Sequence, residues 1–230
     1  MDTKAPVLTK RLSAAADFVR KGAFVADVGT DHAYLPISLA LSGKIAGGVA
    51  SDINEGPYLR ALANVKSHSL EKKITAIHTA GLCGIEKYSP TDIVICGMGG
   101  ELIASIIDAA PWTKSNSIRL VLQPMTHSEI LRKYLLDNKF SIIDEKLAKE
   151  EKIYEILCAE YTGKSEDYSN AELLLGKKNA QRKDELFFEF LGHHLSVLHR
   201  IANAKHSANA DASKEDALIK ELEELKNDSI

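Results

Sequence analysis

The stretch Phe24-Val25-Ala26-Asp27-Val28-Gly29-Thr30-Asp31-His32-Ala33 decides the fold, because a short apolar run ends there in an acidic residue and a glycine. Phe24–Val28 has the composition of a parallel strand that helices cover on both faces. Gly29 allows the backbone to approach a ligand closely, and the small Ala33 opens the helix that follows. This strand–turn–helix unit is typical of a nucleotide-cofactor loop in an α/β protein.

The same alternation of strand and helix continues along the chain. Further strand-like runs are Gly47–Ser51, Ile74–His78, Asp92–Cys96 and Ile118–Leu122. Helical patterns occupy Leu35–Ser42, Gly56–Ser67, Glu101–Ala109 and Ser128–Asp137. Two last strands, Phe140–Leu147 and Ile153–Tyr161, have no helix between them and predict an antiparallel hairpin. Five parallel strands and a hairpin predict the class I methyltransferase fold, a Rossmann-like α/β sheet, because a dehydrogenase would end in another β-α unit.

The chain changes character after Gly163, so we divide it into a cofactor-binding domain, 1–164, and a helical appendage, 165–230. Ser169 with Glu172, and Ser213 with Asp216, have capping-box spacing. Apolar residues at helical spacing mark one long helix, at Phe187, Phe190, His194, Val197 and Ile201, and a second, shorter helix at Ala217, Leu218, Leu222 and Leu225. With the small, polar stretch 205–212 as a turn, these patterns predict an antiparallel, coiled-coil-like helical hairpin.

The composition is that of an ordinary globular protein. The 230 residues are 45% hydrophobic and 27% charged, which excludes a disordered chain, a collagen and a disulfide-dense module. No apolar run approaches the roughly 20 residues that span a bilayer, so we expect no membrane partner. Three cysteines without metal-ligand spacing predict reduced thiols in a cytoplasmic protein and no metal site. With a net charge of −3, an anionic partner must be bound by local basic clusters.

The opening stretch favours a cationic cofactor over a dinucleotide. A dehydrogenase uses G-x-G-x-x-G so that pyrophosphate can rest on the helix N-terminus, but Asp31 occupies the place of the second glycine. A carboxylate there repels pyrophosphate and tolerates S-adenosylmethionine, which carries an ammonium and a sulfonium. Asp52, at the end of the second run, can accept both hydroxyls of a ribose. A tight turn that binds no ligand remains the alternative.

Polar or glycine-rich segments also follow the fourth and fifth strands. Gly97-Met98-Gly99-Gly100 lets a ligand lie against bare backbone, although close helix–sheet packing would need such glycines too. Gln123 ends the fifth run, where its amide can bind a base edge or a cofactor, or simply belong to a turn. Lys178 and Arg182 share one helix face and could hold phosphates, or form a solvated surface.

Together these motifs resemble the TrmK family, bacterial tRNA (adenine-N1)-methyltransferases that act on adenine 22. The resemblance covers essentially the whole chain, and the residues that carry it are Arg11-Leu12, the string from Asp27 to Pro36, Ile95–Ile103 and Leu120–Pro124. It implies S-adenosylmethionine as cofactor and tRNA as substrate, with no protein partner inferred. Two positions depart from the family pattern: Ala80 stands where an Asp usually binds the cofactor adenine, and Met125 where Asn is frequent. A backbone amide at Leu82 or Cys83 could still contact the adenine.

The motifs and the resemblance together assign roles to particular residues. Cofactor binding is expected from Asp27, Gly29, Thr30, Asp52, Ile53, Gly81, Leu82, Gly97 and Met98. Catalysis on the acceptor base is expected from Asp31, His32 and Gln123, where a carboxylate can stabilise the positive charge formed at N1 and an imidazole can relay a proton. Substrate binding is expected from Arg11, Tyr34, Asn54, Gly99, Lys178 and Arg182.

Two other functions stay open at this point. A methyltransferase for a small molecule or a protein would share the cofactor motifs but would not need the helical appendage. A non-catalytic RNA-binding relative would account for Ala80, since the loss of a hydrogen bond there would weaken cofactor binding by roughly 1–3 kcal/mol. Deletion of the appendage would abolish tRNA binding but leave the catalytic domain of a small-substrate enzyme intact. Failure to bind S-adenosylmethionine would favour the non-catalytic relative.

Overall fold

The computed structural model describes residues 4–227. The chain forms two compact units, of which the first ends at Glu166 and the second begins at Asp167. The division expected from the sequence lies between residues 164 and 165. Each unit is described by itself below.

The first unit is built on one seven-stranded sheet. Its strands are β1 Phe24–Val28, β2 Gly47–Asp52, β3 Ile74–His78, β4 Asp92–Met98, β5 Arg119–Pro124, β6 Phe140–Lys149 and β7 Ile153–Tyr161. The order across the sheet is β3-β2-β1-β4-β5-β7-β6. Strands β1 to β5 pair in parallel, whereas β7 pairs antiparallel with both β5 and β6. The predicted arrangement of five parallel strands and a terminal hairpin is therefore confirmed.

Helices pack on this sheet as the apolar periodicity predicts, with one addition. They are α1 Lys10–Phe18, α2 Tyr34–Leu41, α3 Glu55–Ser67, α4 Gly100–Asp108 and α5 Ser128–Asp137. Helix α1 was not expected, because its buried face consists of Ala15, Ala16 and Phe18 within a basic segment. Strands β3 and β4 are joined by a loop that contains only a 3₁₀ turn, Glu86–Tyr88.

The position of β1 in the sheet indicates where a ligand would bind. The strand lies between β2 and β4, so the chain leaves it in one direction across the sheet and later returns on its other side. Ligands of open α/β sheets bind at such a switch point, outside the carboxyl ends of the strands. Buried branched side chains of β1 and β4 make this part of the sheet rigid, since Val25, Ile93 and Ile95 have no exposed surface.

The second unit is entirely helical within its described residues, 167–227. Its helices are α6 Asn170–Leu175, α7 Lys177–Arg182, α8 Glu185–Ser207 and α9 Ser213–Asn227. Helices α8 and α9 form the predicted antiparallel hairpin, held at its turn end by the ion pairs Lys205–Glu215 and His206–Asp216. The two short helices before it, α6 and α7, lie in the part of the appendage for which the sequence predicts no separate helix bounds.

One of the two capping boxes forms. The Ser169 hydroxyl accepts a hydrogen bond from the Glu172 backbone N–H, and the Glu172 carboxylate accepts one from the Ser169 N–H. The prediction of a second capping box at Ser213 and Asp216 is wrong. Ser213 is the first residue of α9 rather than its N-cap, and its N–H donates to the Asp211 carboxylate. The carboxylate of Asp216 is engaged by His206.

Candidate functional site

The loop after β1 is fixed by its own backbone and by the end of β2. The N–H groups of Gly29 and Thr30 both donate to the Ser51 carbonyl, at 2.8 and 2.9 Å. The Thr30 hydroxyl accepts a hydrogen bond from the Ala33 N–H at 3.0 Å. Gly29 has a φ of +76°, and a Cβ atom there would lie 2.0 Å from the methyl of Met98. The positive φ favours glycine in this turn, and the methyl of Met98 packs directly on it.

A cavity of about 360 Å³ opens beside this loop at the carboxyl edge of the sheet. The loop, the start of α2, the end of β4 and the segment that opens α1 line it together. Its lining includes these residues with predicted roles: Arg11, Asp27, Gly29, Thr30, Asp31, His32, Tyr34 and Gly97. The structure thus brings together residues that lie up to 86 positions apart in the sequence (97 − 11), as the strand order requires.

Asp27 is the buried charge of this cavity, with only 7% of its surface exposed. Burial raises the pKa of its carboxyl group to about 6, the Thr30 hydroxyl opposes this by hydrogen bonding, and the charge of Asp52 adds to it. The neighbours that bear on its charge are thus a hydroxyl and a second carboxylate rather than a cation. A carboxylate in this environment favours a positively charged ligand.

The ends of β2 and β3 lie next to this cavity along the sheet edge. The Asp52 carboxylate accepts a hydrogen bond from the Asn54 N–H at 2.7 Å, while the side chain of Ile53 is largely exposed. The Thr79 N–H donates to the Asp52 carbonyl at 3.0 Å, which fixes the start of the loop that carries Gly81 and the buried Leu82. An acidic group and an exposed apolar side chain therefore stand side by side, as the ribose and the base of a nucleoside require.

Asp31, His32 and Tyr34 lie at the mouth of the cavity. The rings of His32 and Tyr34 stack with their centroids 4.8 Å apart, and His32 Nε2 lies 3.5 Å from Asp31 Oδ2. Two residues of α3 that the sequence reasoning missed hold this group: Arg60 pairs with the Asp31 carboxylate, and Asn64 donates to the His32 carbonyl at 3.0 Å.

The prediction that Gln123 faces the acceptor base is wrong. Its side chain is fully buried, its carbonyl accepts from Arg11 Nη1 at 2.9 Å and from the Gly97 N–H at 3.2 Å, and its amide donates to the Pro124 carbonyl. Both the carbonyl and the NH2 group of this amide are hydrogen-bonded within the protein, because the side chain points inward from β5. Gln123 instead holds the Arg11 guanidinium at the cavity wall, and the Arg11 backbone N–H is bound by Glu150 at 2.7 Å.

The glycine-rich segment from the end of β4 to the start of α4 serves two purposes. Gly97 faces the cavity. Gly100, in contrast, is needed for packing, since a Cβ atom there would lie 2.2 Å from the His127 carbonyl oxygen. Gly99 lies between them and caps the start of α4.

Lys178 and Arg182 lie one turn apart on α7 and belong to the second unit. Every other residue with a predicted role belongs to the first unit. Among residues 4–227, no group of three or more His, Cys, Asp or Glu side chains is arranged to hold a metal ion. No helix in that part of the chain is both long enough and apolar enough to cross a membrane.

Comparisons with known proteins point to one family. A family model described as TrmK, tRNA (adenine(22)-N(1))-methyltransferase, matches residues 25–227. The tRNA (adenine(22)-N(1))-methyltransferase of Bacillus subtilis is 35% identical over 224 residues, which cover 94% of this chain and 92% of that protein.

Solved structures agree with this match. The crystal structure of the B. subtilis m1A22 tRNA methyltransferase is 33% identical, with a TM-score of 0.82 over 96% of this chain and 98% of that one. A Streptococcus pneumoniae protein in complex with S-adenosyl-L-methionine is also 33% identical, with a TM-score of 0.84 over 94% of this chain and 99% of that one.

Proposed function

Because the chain belongs to the TrmK family of tRNA (adenine(22)-N(1))-methyltransferases, we propose that it transfers a methyl group from S-adenosylmethionine to N1 of adenine 22 in tRNA. The observation that carries this proposal is the buried carboxylate of Asp27 in a cavity at the switch point of the sheet. Burial of that carboxylate suits a cofactor that brings its own positive charges.

The residues around the cavity fit the parts of this cofactor. Asp27 would bind the ammonium of the methionine moiety. Arg11, which the sequence assigns to substrate binding, is held by Gln123 in the wall of the same cavity and would instead bind the carboxylate of the methionine moiety. Asp52 would accept the ribose hydroxyls, and the exposed Ile53 would pack on the adenine. When bound, S-adenosylmethionine supplies a methyl group on a sulfonium, which is already activated for transfer.

The protein's own residues would orient the acceptor adenine and stabilise the charge that forms on it. Neutral adenine attacks with the N1 lone pair, so it needs no deprotonation before the reaction. The exposed Asp31 carboxylate would stabilise the positive charge that forms on the base and accept the proton that the base then loses, and His32 beside it would hold that carboxylate in place through Nε2. The ring of Tyr34 would stack on an adenine that has left its helix, because N1 lies on the Watson–Crick edge.

The adenine pocket of this chain works without the carboxylate that the family pattern has at position 80. Ala80 lies between Thr79, which is bound to the Asp52 carbonyl, and Gly81. The Cys83 N–H already donates to the Ala80 carbonyl at 3.1 Å, so we propose that the backbone amide of Leu82 binds the cofactor adenine instead. The domain at residues 1–164 would then hold all of the cofactor contacts.

The helical appendage, residues 165–230, would contact the tRNA. Lys178 and Arg182 on α7 present positive charge at helical spacing, as phosphate contacts require. A methyltransferase that acts on a small molecule would not need this unit to bind its substrate. We also propose that the protein works in the cytoplasm, where its tRNA substrate is and where its cysteines would stay reduced.

The test is methyl transfer from radiolabelled S-adenosylmethionine to unmodified bacterial tRNA, followed by nucleoside mass analysis. We expect 1-methyladenosine with the wild-type chain, and none with a matched tRNA in which adenine 22 is replaced by guanine. Transfer to that control tRNA would move the target to another position. Cofactor binding without transfer to any tRNA would favour a different acceptor, and the absence of both would leave a non-catalytic RNA-binding relative.

A further inference from the structure

The loop that carries Asp31 and His32 adopts a conformation that its own residues do not favour. Ala33 has a φ of +54°, in the left-handed region that residues other than glycine rarely adopt. The Asp31 side chain is 59% exposed, and that of His32 is 37% exposed. Exposed side chains on a strained loop need external contacts if they are to keep one geometry.

Helix α3 supplies the contact to Asp31. Arg60 Nε donates to Asp31 Oδ1 at 2.8 Å, and Arg60 Nη2 contacts the same oxygen. Both donors meet Oδ1, so Oδ2 stays directed at His32 Nε2, 3.5 Å away. The guanidinium thus selects which carboxylate oxygen faces the imidazole.

The same helix supplies the contact to His32, one turn further on. Asn64 Nδ2 donates to the His32 carbonyl at 3.0 Å and lies 3.5 Å from the ring Nδ1. If Asn64 donates to Nδ1, that nitrogen is the acceptor and the ring proton lies on Nε2, where it faces Asp31. Tyr34 stacked on the ring limits its rotation further.

From these contacts we infer that Arg60 and Asn64 are positioning residues for methyl transfer: they fix the Asp31 carboxylate and the His32 tautomer toward the acceptor base. This inference rests on the proposed function, and it assigns neither residue a contact with cofactor or tRNA. The pair is spaced i, i+4 on α3, so one rigid helix orients both groups at once.

The decisive experiment is a double-mutant cycle on tRNA methylation with Arg60→Met, Asp31→Asn and the double variant. We expect Arg60→Met to lower kcat about 10- to 100-fold, with little change in the KM for tRNA or the affinity for S-adenosylmethionine. If Arg60 acts through Asp31, the double variant is no slower than Asp31→Asn alone. Lys66→Met, which removes an exposed positive charge from the same helix, is the matched control and should keep wild-type kinetics.

A different pattern would overturn the inference. If Arg60→Met raises the KM for tRNA at unchanged kcat, and its effect multiplies with that of Asp31→Asn, Arg60 binds a phosphate of the tRNA directly. Wild-type kinetics in Arg60→Met would show that Arg60 has no role in methyl transfer.

A second measurement does not depend on activity. The ¹⁵N resonances of the His32 ring, assigned by their loss in His32→Gln, should report the Nε2–H tautomer in the wild-type protein. In Asn64→Ala they should shift toward a mixture of the two tautomers. Unchanged His32 resonances in both Asn64→Ala and Arg60→Met would contradict the inference even if the proposed reaction itself failed.

Discussion

Buried charge is balanced in one region of the first unit and unbalanced in another. Between α5 and the β6–β7 hairpin, Arg132 is fully buried, and its Nε donates to Glu145 at 2.7 Å while its Nη2 contacts Glu155. Burial acts to lower the pKa of Arg132, but the two carboxylates raise it by more, so the guanidinium stays charged. At the carboxyl edge of the sheet, Asp27 has a hydroxyl and another carboxylate as its neighbours.

The difference separates architecture from function. A buried charge that meets its counter-charges inside the protein fixes how elements pack, and it needs nothing from outside. A buried carboxylate whose pKa is raised to about 6 destabilises the folded protein at neutral pH, and a cationic ligand relieves that cost. Substitutions in the two regions should therefore act on different properties.

The largest expected effect comes from breaking the balanced region. Arg132→Met leaves Glu145 and Glu155 buried without their common partner, so we expect the free energy of unfolding to fall by about 3–5 kcal/mol. Urea denaturation measures this. Lys133→Met is the matched control, because its ion pair with Asp137 is solvent-exposed and is worth less than about 1 kcal/mol. Equal destabilisation by the two substitutions would contradict the distinction.

A smaller change in the free energy of unfolding, and one that stabilises the protein, is expected from Asp27→Asn. Its pKa is raised from 3.8 to about 6, so the stability that the folded protein has in acid is lost as pH rises through about 6. The neutral amide avoids that loss, and at pH 7.5 we expect unfolding to require about 1–3 kcal/mol more than in the wild type. Affinity for S-adenosylmethionine should fall by about 2 kcal/mol, roughly 30-fold, in the same variant. If Asp27→Asn is less stable than the wild type and binds S-adenosylmethionine equally well, Asp27 is not part of the cofactor site.

The sheet could be predicted from the sequence because its signals are local. Each parallel strand is a short run of branched apolar residues, and the two last strands lack a helix between them. Helix α1 escaped prediction because alanines form much of its buried face, and alanine gives little contrast in a hydrophobic pattern.

The residues of the cavity were predictable where they follow a strand, since carboxyl ends of parallel strands share one edge. Contacts made across the fold were not. Arg60 meets Asp31 from 29 positions away, and Arg11 meets Gln123 from 112 positions away. For Gln123 the sequence placed the residue at the right edge, but only the structure shows that its amide points inward and binds Arg11.

The most direct test of the account is the affinity for S-adenosylmethionine as a function of pH, measured by titration calorimetry between pH 5 and 7. If the carboxylate form of Asp27 binds the cofactor, a pKa of about 6 makes only about a tenth of the free protein competent at pH 5 and about nine tenths at pH 7. We predict binding about tenfold weaker at pH 5 than at pH 7 in the wild type, and no such change in Asp27→Asn. Wild-type affinity that stays constant over this range would show that the buried carboxylate is not what holds the cofactor.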